Sequence, residues 1–403
     1  MVRQWKTVLI VVVLGLAAIL PFGIKKAMPW VHWQLRADGA QHCVSMAYEP
    51  AISERQMTVC LTDQARKLLR REGVRAGLVK VEGFAAKDTL FELKCHMPMH
   101  TIGQEYQRNG FKASQIPLHL PPGVNWQSSC IAGFLHGYMQ ELGGNASPAT
   151  YVTISHRTCN SMERLIDLQG CYHALGHGLS RSLENRLASS GTQCAALAAG
   201  VRAECAAGAV MELELAKLAA RKGPPYIDDG GMAPARPVRC EEVPALVRGS
   251  CYSREIHDSG ALPQGKALTM RSVTSGRCER AEQPARRTCF IGAGARVGLA
   301  RGADQAIVVP KTCGTLTAGG DRDACFHGAG FGFSFYQLRK PPRLWKMCDT
   351  FAAPDARRCY EGAGRGWALV HDDPTTTCTD VSSAYRPSCE RGAALSTIGL
   401  GLS

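Results

Sequence analysis

CFIGAGAR at residues 289–296, CFHGAGFG at 325–332 and CYEGAGRG at 359–366 are three copies of one phrase, and their recurrence decides the fold. Each opens on a cysteine that has a partner upstream, with ten or eleven residues between the two. Outward from these copies the same pairing recurs. The full set is Cys159/Cys171, Cys194/Cys205, Cys240/Cys251, Cys278/Cys289, Cys313/Cys325, Cys348/Cys359 and Cys378/Cys389. An eighth phrase opens at Cys130, whose nearest upstream cysteine is Cys95. The second cysteines fall at 130, 171, 205, 251, 289, 325, 359 and 389, a step mostly in the thirties. A period of this length marks an array of one supersecondary unit that buries its apolar face against its neighbours. Within a unit the first cysteine is expected at a turn and the second near the start of the inner helix.

Few runs of β-branched residues occur, while Ala195–Arg202 and Val210–Arg221 (VMELELAKLAAR) have helical composition and pattern. The expected class is therefore mainly α: a disulfide-stapled array of helical hairpins, an α-solenoid or a closed α/α toroid. A bridge closing a loop of about a dozen residues adds roughly 3 kcal/mol in the chain-entropy model. That supports short helices carrying glycine, which costs about 1 kcal/mol against alanine. A small residue recurs three positions after the second cysteine (Gly133, Ala174, Gly208, Gly292, Gly328, Gly362, Gly392), with Arg254 the exception. Close approach of neighbouring helices is the physical reason to expect. The Gly-x-Gly runs at Gly292/Gly294, Gly328/Gly330 and Gly362/Gly364 follow no strand and never complete GxGxxG, so they read as structural rather than nucleotide-binding.

Eighteen cysteines in 403 residues is a high, even count. A chain this long can bury a core without staples, so regular pairing points to an oxidising compartment. No CxxC occurs, which removes thioredoxin-like redox chemistry, c-type haem attachment and the usual zinc-finger spacings. Residues 7–24 are an apolar run flanked by Arg3 and Lys6 before and Lys25 and Lys26 after. At about 1.5 Å per residue the run can cross a hydrocarbon core of about 30 Å. A cleaved signal peptide is the alternative, but no clean small-x-small site follows, so an uncleaved single-pass anchor is the preferred reading. The bulk of the chain is then expected in the periplasm or cell exterior, tethered to the inner membrane. The expected organisation is a tip and anchor over 1–28, a separate segment over 29–89 and the repeat domain over 90–403, with a Pro/Gly-rich insertion at 221–239. Within the second segment, Cys43 and Cys60 are candidates for a local bridge. There, Thr62–Arg75 reads as a helix capped by Thr62 or Asp63, and Val79–Leu93 as a small hairpin.

The formal net charge of +13 is spread along the chain without aromatic interleaving. A basic solvated surface near anionic lipid or polysaccharide is favoured, and nucleic acid is not expected as a partner.

Six residues beyond the second cysteine the early copies carry His136, His177, Met211 and His257, and the late copies Ala295, Phe331, Arg365 and Leu395. Equivalent positions of a curved array lie at matching heights, so these imidazoles can converge although distant in sequence. His96/His100 and His173/His177 add two i, i+4 pairs, each able to grip one ion from one helix face. Pro98 is compatible only with a first helical turn. The expected metal ligands are His96, His100, His136 and His177, with Glu212 as acid–base group and His173, His257, Phe331 and Arg365 as further lining. Histidine with carboxylate suits zinc or iron, and nearby Met97, Met99, Met139 and Met211 keep copper open. The other histidines read as ordinary packed side chains.

The phrases CHMPMHTIG at Cys95, CIAGFLHG at Cys130, CYHALGHGL at Cys171 and CAAGAVME at Cys205 resemble those of a bacterial family of exported, cysteine-rich repeat proteins. That family carries CHxxxHxxG, a CHSGFYHG-like phrase, CxHGLGHGL and CxxGVFME in the same order. Ile131 stands where the second phrase usually has histidine, and Gln140 where an acid is common. The resemblance implies a shared histidine-lined site and brings no activity with it. Two functions are therefore carried forward. One is a protein with a histidine-lined metal site, read as a metal-dependent enzyme whose substrate the sequence does not name. The other is a non-catalytic scaffold, similar in architecture to Sel1-like arrays but without their motif, binding a protein or glycan. An enzyme built on free thiols is disfavoured by the paired cysteines.

Overall fold

The computed structural model describes Cys43 and residues 54–395, apart from 86, 88–90, 92–93, 118, 122–123, 127, 223–237, 259–268, 300–304, 318, 337–340 and 372–377. The expected anchor at 7–24 and most of the expected insertion at 221–239 lie outside the described residues. Among the described helices none is long and apolar enough to cross a membrane.

The described chain is mainly helical and has no strand. It opens with α1 (Glu54–Glu72) and α2 (Val74–Ala85), followed by α3 (His96–Arg108) and α4 (Ser129–Asn145). Short and long helices then alternate. These are α5 (Pro148–Cys159) with α6 (Leu165–Ser182) and α7 (Leu187–Ala195) with α8 (Ala199–Lys222). A 3-10 turn (Cys240–Glu242) precedes α9 (Ala245–Asp258). Next come α10 (Met270–Thr274), α11 (Arg277–Arg280) and α12 (Ala285–Gly298), then α13 (Gln305–Cys313) with α14 (Gly320–Tyr336). Last are α15 (Pro341–Asp349) with α16 (Ala353–His371), and α17 (Arg386–Leu395).

All seven expected staples form: Cys159–Cys171, Cys194–Cys205, Cys240–Cys251, Cys278–Cys289, Cys313–Cys325, Cys348–Cys359 and Cys378–Cys389. The remaining cysteines pair as Cys43–Cys60 and Cys95–Cys130. No free thiol remains. In a typical unit the first cysteine sits at the end of the short helix, as Cys159, Cys194, Cys313 and Cys348 do, and its partner lies in the second turn of the long one.

Three staples depart from that unit, because the short helix before them is reduced or absent. Cys251 of α9 is held by Cys240 in the 3-10 turn, and Cys289 of α12 by Cys278 in the four-residue α11. Cys389 of α17 is held by Cys378, which lies in a turn. At these three positions no helical hairpin forms, and the bridge ties a turn or a single helical turn to the long helix. Cys251, Cys289 and Cys389 are nonetheless buried like the other staples.

A hydrogen bond beside the staple recurs as well. The tyrosine after the second cysteine donates to the residue after the first: Tyr172 to Asn160, Tyr252 to Glu241 and Tyr360 to Asp349.

The long helices pack in chain order: α3 on α4, α4 on α6, α6 on α8, α8 on α9, α9 on α12, α12 on α14, α14 on α16, α16 on α17. The Gly-x-Gly phrase is the interlock. In two of the three phrases the first glycine faces a backbone carbonyl of the preceding long helix, Gly328 on Ile291 and Gly362 on His327, while Gly292 meets the Ser253 side chain. The second glycine faces the cysteine carbonyl of the following long helix, Gly294 on Cys325 and Gly330 on Cys359. A Cβ at any of these four carbonyl-facing glycines would stand 1.8–2.0 Å from that oxygen, so only hydrogen fits. Charged pairs repeat on the same interval: Arg286 with Asp321, Arg322 with Asp355. Late helices also meet early ones. The α16 helix touches α6, and Ile166 of α6 packs with Phe331, Phe335 and Leu369.

Three further expectations are corrected. Lys80–Phe84 of the expected hairpin is helical, because Leu78, Val81, Glu82 and Ala85 are buried at helical spacing and the valine alternation is incidental. The helix expected over Thr62–Arg75 begins at Glu54. Thr62 is interior to it, with its hydroxyl bonded back to the Thr58 carbonyl rather than capping. The helix expected over Ala195–Arg202 is interrupted, since α7 ends at Ala195 and α8 starts at Ala199.

Candidate metal centre

Four consecutive long helices contribute polar residues at one-turn spacing to a shared interior. His96, His100 and Gln104 lie on α3, and His136 and Gln140 on α4. Gln169, His173 and His177 lie on α6, and Glu204 and Glu212 on α8. Residues four apart share a helix face, so each set points one way. The α3 helix begins at His96, which places Pro98 in the first turn where its missing N–H is harmless.

Glycine brings these faces together. Gly133 and Gly137 of α4 abut the His96 and His100 carbonyls of α3. Gly178 of α6 abuts Met139, and Gly208 of α8 abuts the His173 carbonyl. In the His136–Gly137 and His177–Gly178 dipeptides the histidine reaches the interior while the glycine seats the backbone against the next helix.

His136 is the hub. Its ring centroid lies 4.6 Å from His177, 5.0 Å from His173, 5.2 Å from His96 and 6.3 Å from His100. His100 is 6.2 Å from His177 and 6.1 Å from His96, and His173 is 5.3 Å from His177. The four histidines expected as ligands thus do converge. The tightest group, however, is His136, His173 and His177, whose ligating atoms all lie within 4.8 Å of one another. All three are buried. Tetrahedral zinc with bonds of about 2.0–2.1 Å spaces its ligands about 3.4 Å apart, a gap that modest ring rotation closes.

Carboxylates stand behind two of the three. Glu212 Oε2 lies 3.0 Å from His177 Nδ1, and its Oε1 accepts from the Gln140 amide at 2.6 Å. Gln140 in turn accepts from Gln104 at 2.5 Å, so a buried relay runs from α3 through α4 to α8 and α6. Glu204 lies 3.4 Å from His173 Nδ1. With Nδ1 on a carboxylate, a histidine offers Nε2 as its lone-pair nitrogen, the usual arrangement behind metal-bound imidazole. Burial pushes His100 and His136 well below the usual imidazole range, and neighbouring histidines reinforce it. Both rings are therefore neutral and competent to ligate. Burial raises the Glu212 carboxyl, opposed by the Gln140 hydrogen bond and by His100.

Helices late in the chain approach this region. Arg365 is buried, and both Glu204 and Glu361 act on its charge. Phe331 stacks on Phe335 at 5.2 Å in the cluster that includes Ile166, about one helical turn before Gln169. Gln169 is completely buried, and neither of its amide atoms has a protein partner. His257 lies on α9, and its side chain is outside the described residues. The sulfurs of Met139 and Met211 are engaged by Ser155 and Arg254 rather than by the histidines. Every cysteine sulfur is committed to a bridge, so none can ligate. Cys251, Cys289 and Cys389 moreover sit on α9, α12 and α17, which contribute none of the five clustered histidines.

The sequence places His173 among the further lining residues, because it stands two beyond Cys171 rather than six, although its i, i+4 pairing with His177 already marks it as able to share an ion. The Gln104–Gln140 relay and Glu204 are missed, since amides and lone carboxylates carry no spacing signature. Comparison with family models, with curated proteins and with solved structures gave no match to this chain.

Proposed function

We propose that the chain is a membrane-tethered, extracytoplasmic repeat protein whose early repeats hold a divalent metal ion. The ligands are His136, His173 and His177, and the ion is the functional centre. The observation that carries this is the burial of three imidazoles with ligating atoms within 4.8 Å, two of them with a carboxylate at Nδ1. Isolated packed histidines do not gather in this way. Nitrogen ligands with carboxylate support suit zinc, iron or copper.

In this reading the repeats curve so that α14 and α16 face α6, supported by the Ile166–Phe331 contact and by Arg365 acting near Glu204. Bound metal would supply Lewis acidity or a low-pKa water. Arg365 and Gln169 would then offer polar contacts to a small anionic molecule beside it. Both oxygens of Glu212 are engaged by Gln140 and His177, so its role here is to orient His177. The scaffold alternative, protein or glycan binding on an exposed face, draws no support from a histidine cluster this deeply buried. The oxidising location rests on the complete pairing of cysteines, and kinship with the exported cysteine-rich family rests on the four phrases from Cys95 to Glu212.

Elemental analysis of protein purified oxidised tests the reading. Stoichiometric metal, lost in a His136→Ala/His177→Ala variant that keeps its helical signal, is the expected result. Metal-free protein with an intact fold overturns it.

A further inference from the structure

The trio above uses three of five clustered imidazoles, and the two on α3 remain to be explained. His100 is completely buried, and neither ring nitrogen has a protein partner. A buried polar atom left unpaired keeps its full desolvation cost, and here both edges of one ring are affected. Three imidazoles lie around His100, His96 at 6.1 Å, His177 at 6.2 Å and His136 at 6.3 Å between centroids, and the charges of Glu212 and Arg181 also act on it with opposite signs. The Nδ1 of His136 is also buried and unpartnered, as is the Oε1 of Gln104 one turn beyond His100. The atoms unmatched on this side of the cluster are thus ring nitrogens and an amide oxygen. Each neutral ring carries one N–H and one lone pair and the amide oxygen only lone pairs, so acceptors outnumber donors here, an excess that a cation satisfies. The first trio does not include His100, so one ion on it leaves this side unmatched.

We infer that the cluster holds a second divalent ion, on His96 and His100, with the His136 ring shared between the two positions. This rests on the reading that His136, His173 and His177 hold the first. His136 is the ring placed to be shared, 5.2 Å from His96 and 5.0 Å from His173. A ring that ligates through both nitrogens does so as imidazolate. Filling the second position therefore releases the His136 ring proton to solvent, with no change of oxidation state. The i, i+4 spacing of His96 and His100 then has the same meaning on α3 as that of His173 and His177 on α6: one pair per ion, with the hub between.

The test is a zinc titration of the full, oxidised chain after stripping with chelator, followed by calorimetry, elemental analysis and proton release in weak buffer. The expected result is two equivalents per chain, the second accompanied by a proton. His96→Ala and His100→Gln should each reduce binding to one equivalent. His96 is only partly buried, so its variant keeps the test independent of whether the His100 variant folds. A single equivalent in the unaltered chain overturns the second position and leaves the first standing. Two equivalents that both variants retain overturn it as well. No binding at all overturns both.

Discussion

Replacing Gly362 by alanine tests the glycine-to-carbonyl packing of the long helices. A Cβ there would stand 1.8 Å from the His327 carbonyl oxygen, and real Cβ atoms essentially never come within 3.0 Å of a neighbour. The obstacle is backbone, so relief requires α14 and α16 to separate by about 1.2 Å along the contact. Overpacking of this kind costs roughly 1–3 kcal/mol, with a rigid carbonyl at the upper end. Helix propensity returns about 1 kcal/mol for alanine over glycine, leaving a net loss of about 1–2 kcal/mol. Gly83 in α2 provides the control, because a Cβ there meets nothing within 4 Å. Gly83→Ala keeps the propensity gain and should raise stability by up to about 1 kcal/mol. Denaturant unfolding by circular dichroism, without reductant, should therefore shift in opposite directions for the two variants. A Gly362→Ala protein as stable as the parent would mean that the long helices are not locked glycine to carbonyl.

Removing one staple with Cys313→Ala/Cys325→Ala opens a loop of twelve residues, and a loss of about 3 kcal/mol is expected in the same unfolding assay. Glu212→Gln keeps the shape behind His177 but removes the charge. Zinc affinity should fall about 10- to 100-fold by calorimetry, with helicity unchanged. His327 is held to about 3 by burial first and then by Arg365, Arg287 and Arg358. The unfolded chain therefore binds the extra proton below about pH 6.5, and stability falls as pH drops from there toward the folded value. Its share of the slope is roughly 1.4 kcal/mol per pH unit, and denaturant midpoints at pH 7, 6 and 5 should fall less steeply in His327→Gln.

The staples and the glycine interlock are legible in the sequence because both depend on short fixed spacings. Cysteine pairing is local, and a glycine two positions from another meets the helices on either side by helical geometry alone. What the spacing does not carry is the structure between the paired cysteines. The same separation joins Cys194 to Cys205 across two helices, and Cys251, Cys289 and Cys389 to a turn or a four-residue helix. The convergence of His136 and His177 is legible because they stand at the same place, six residues beyond a stapled cysteine, and His96 and His100 join them through their i, i+4 spacing. The identity of the tightest trio is not. It depends on the rotation of α6 relative to α4, which the contacts of Gly178 and Gly143 set and no spacing encodes. The tyrosine bonds beside the staples are present as Tyr172/Asn160, Tyr252/Glu241 and Tyr360/Asp349, but only aligning the residue after each cysteine brings them out. The misjudged hairpin shows how the short alternating piece KVEGF (Lys80–Phe84) imitates a strand when burial in fact recurs every three to four residues.

An anomalous difference map from crystals of the zinc-loaded chain goes straight to the centre. A peak about 2.0–2.1 Å from one ring nitrogen each of His136, His173 and His177 is expected. Zinc found only on surface carboxylates, with those three rings unmoved and unligated, would contradict it.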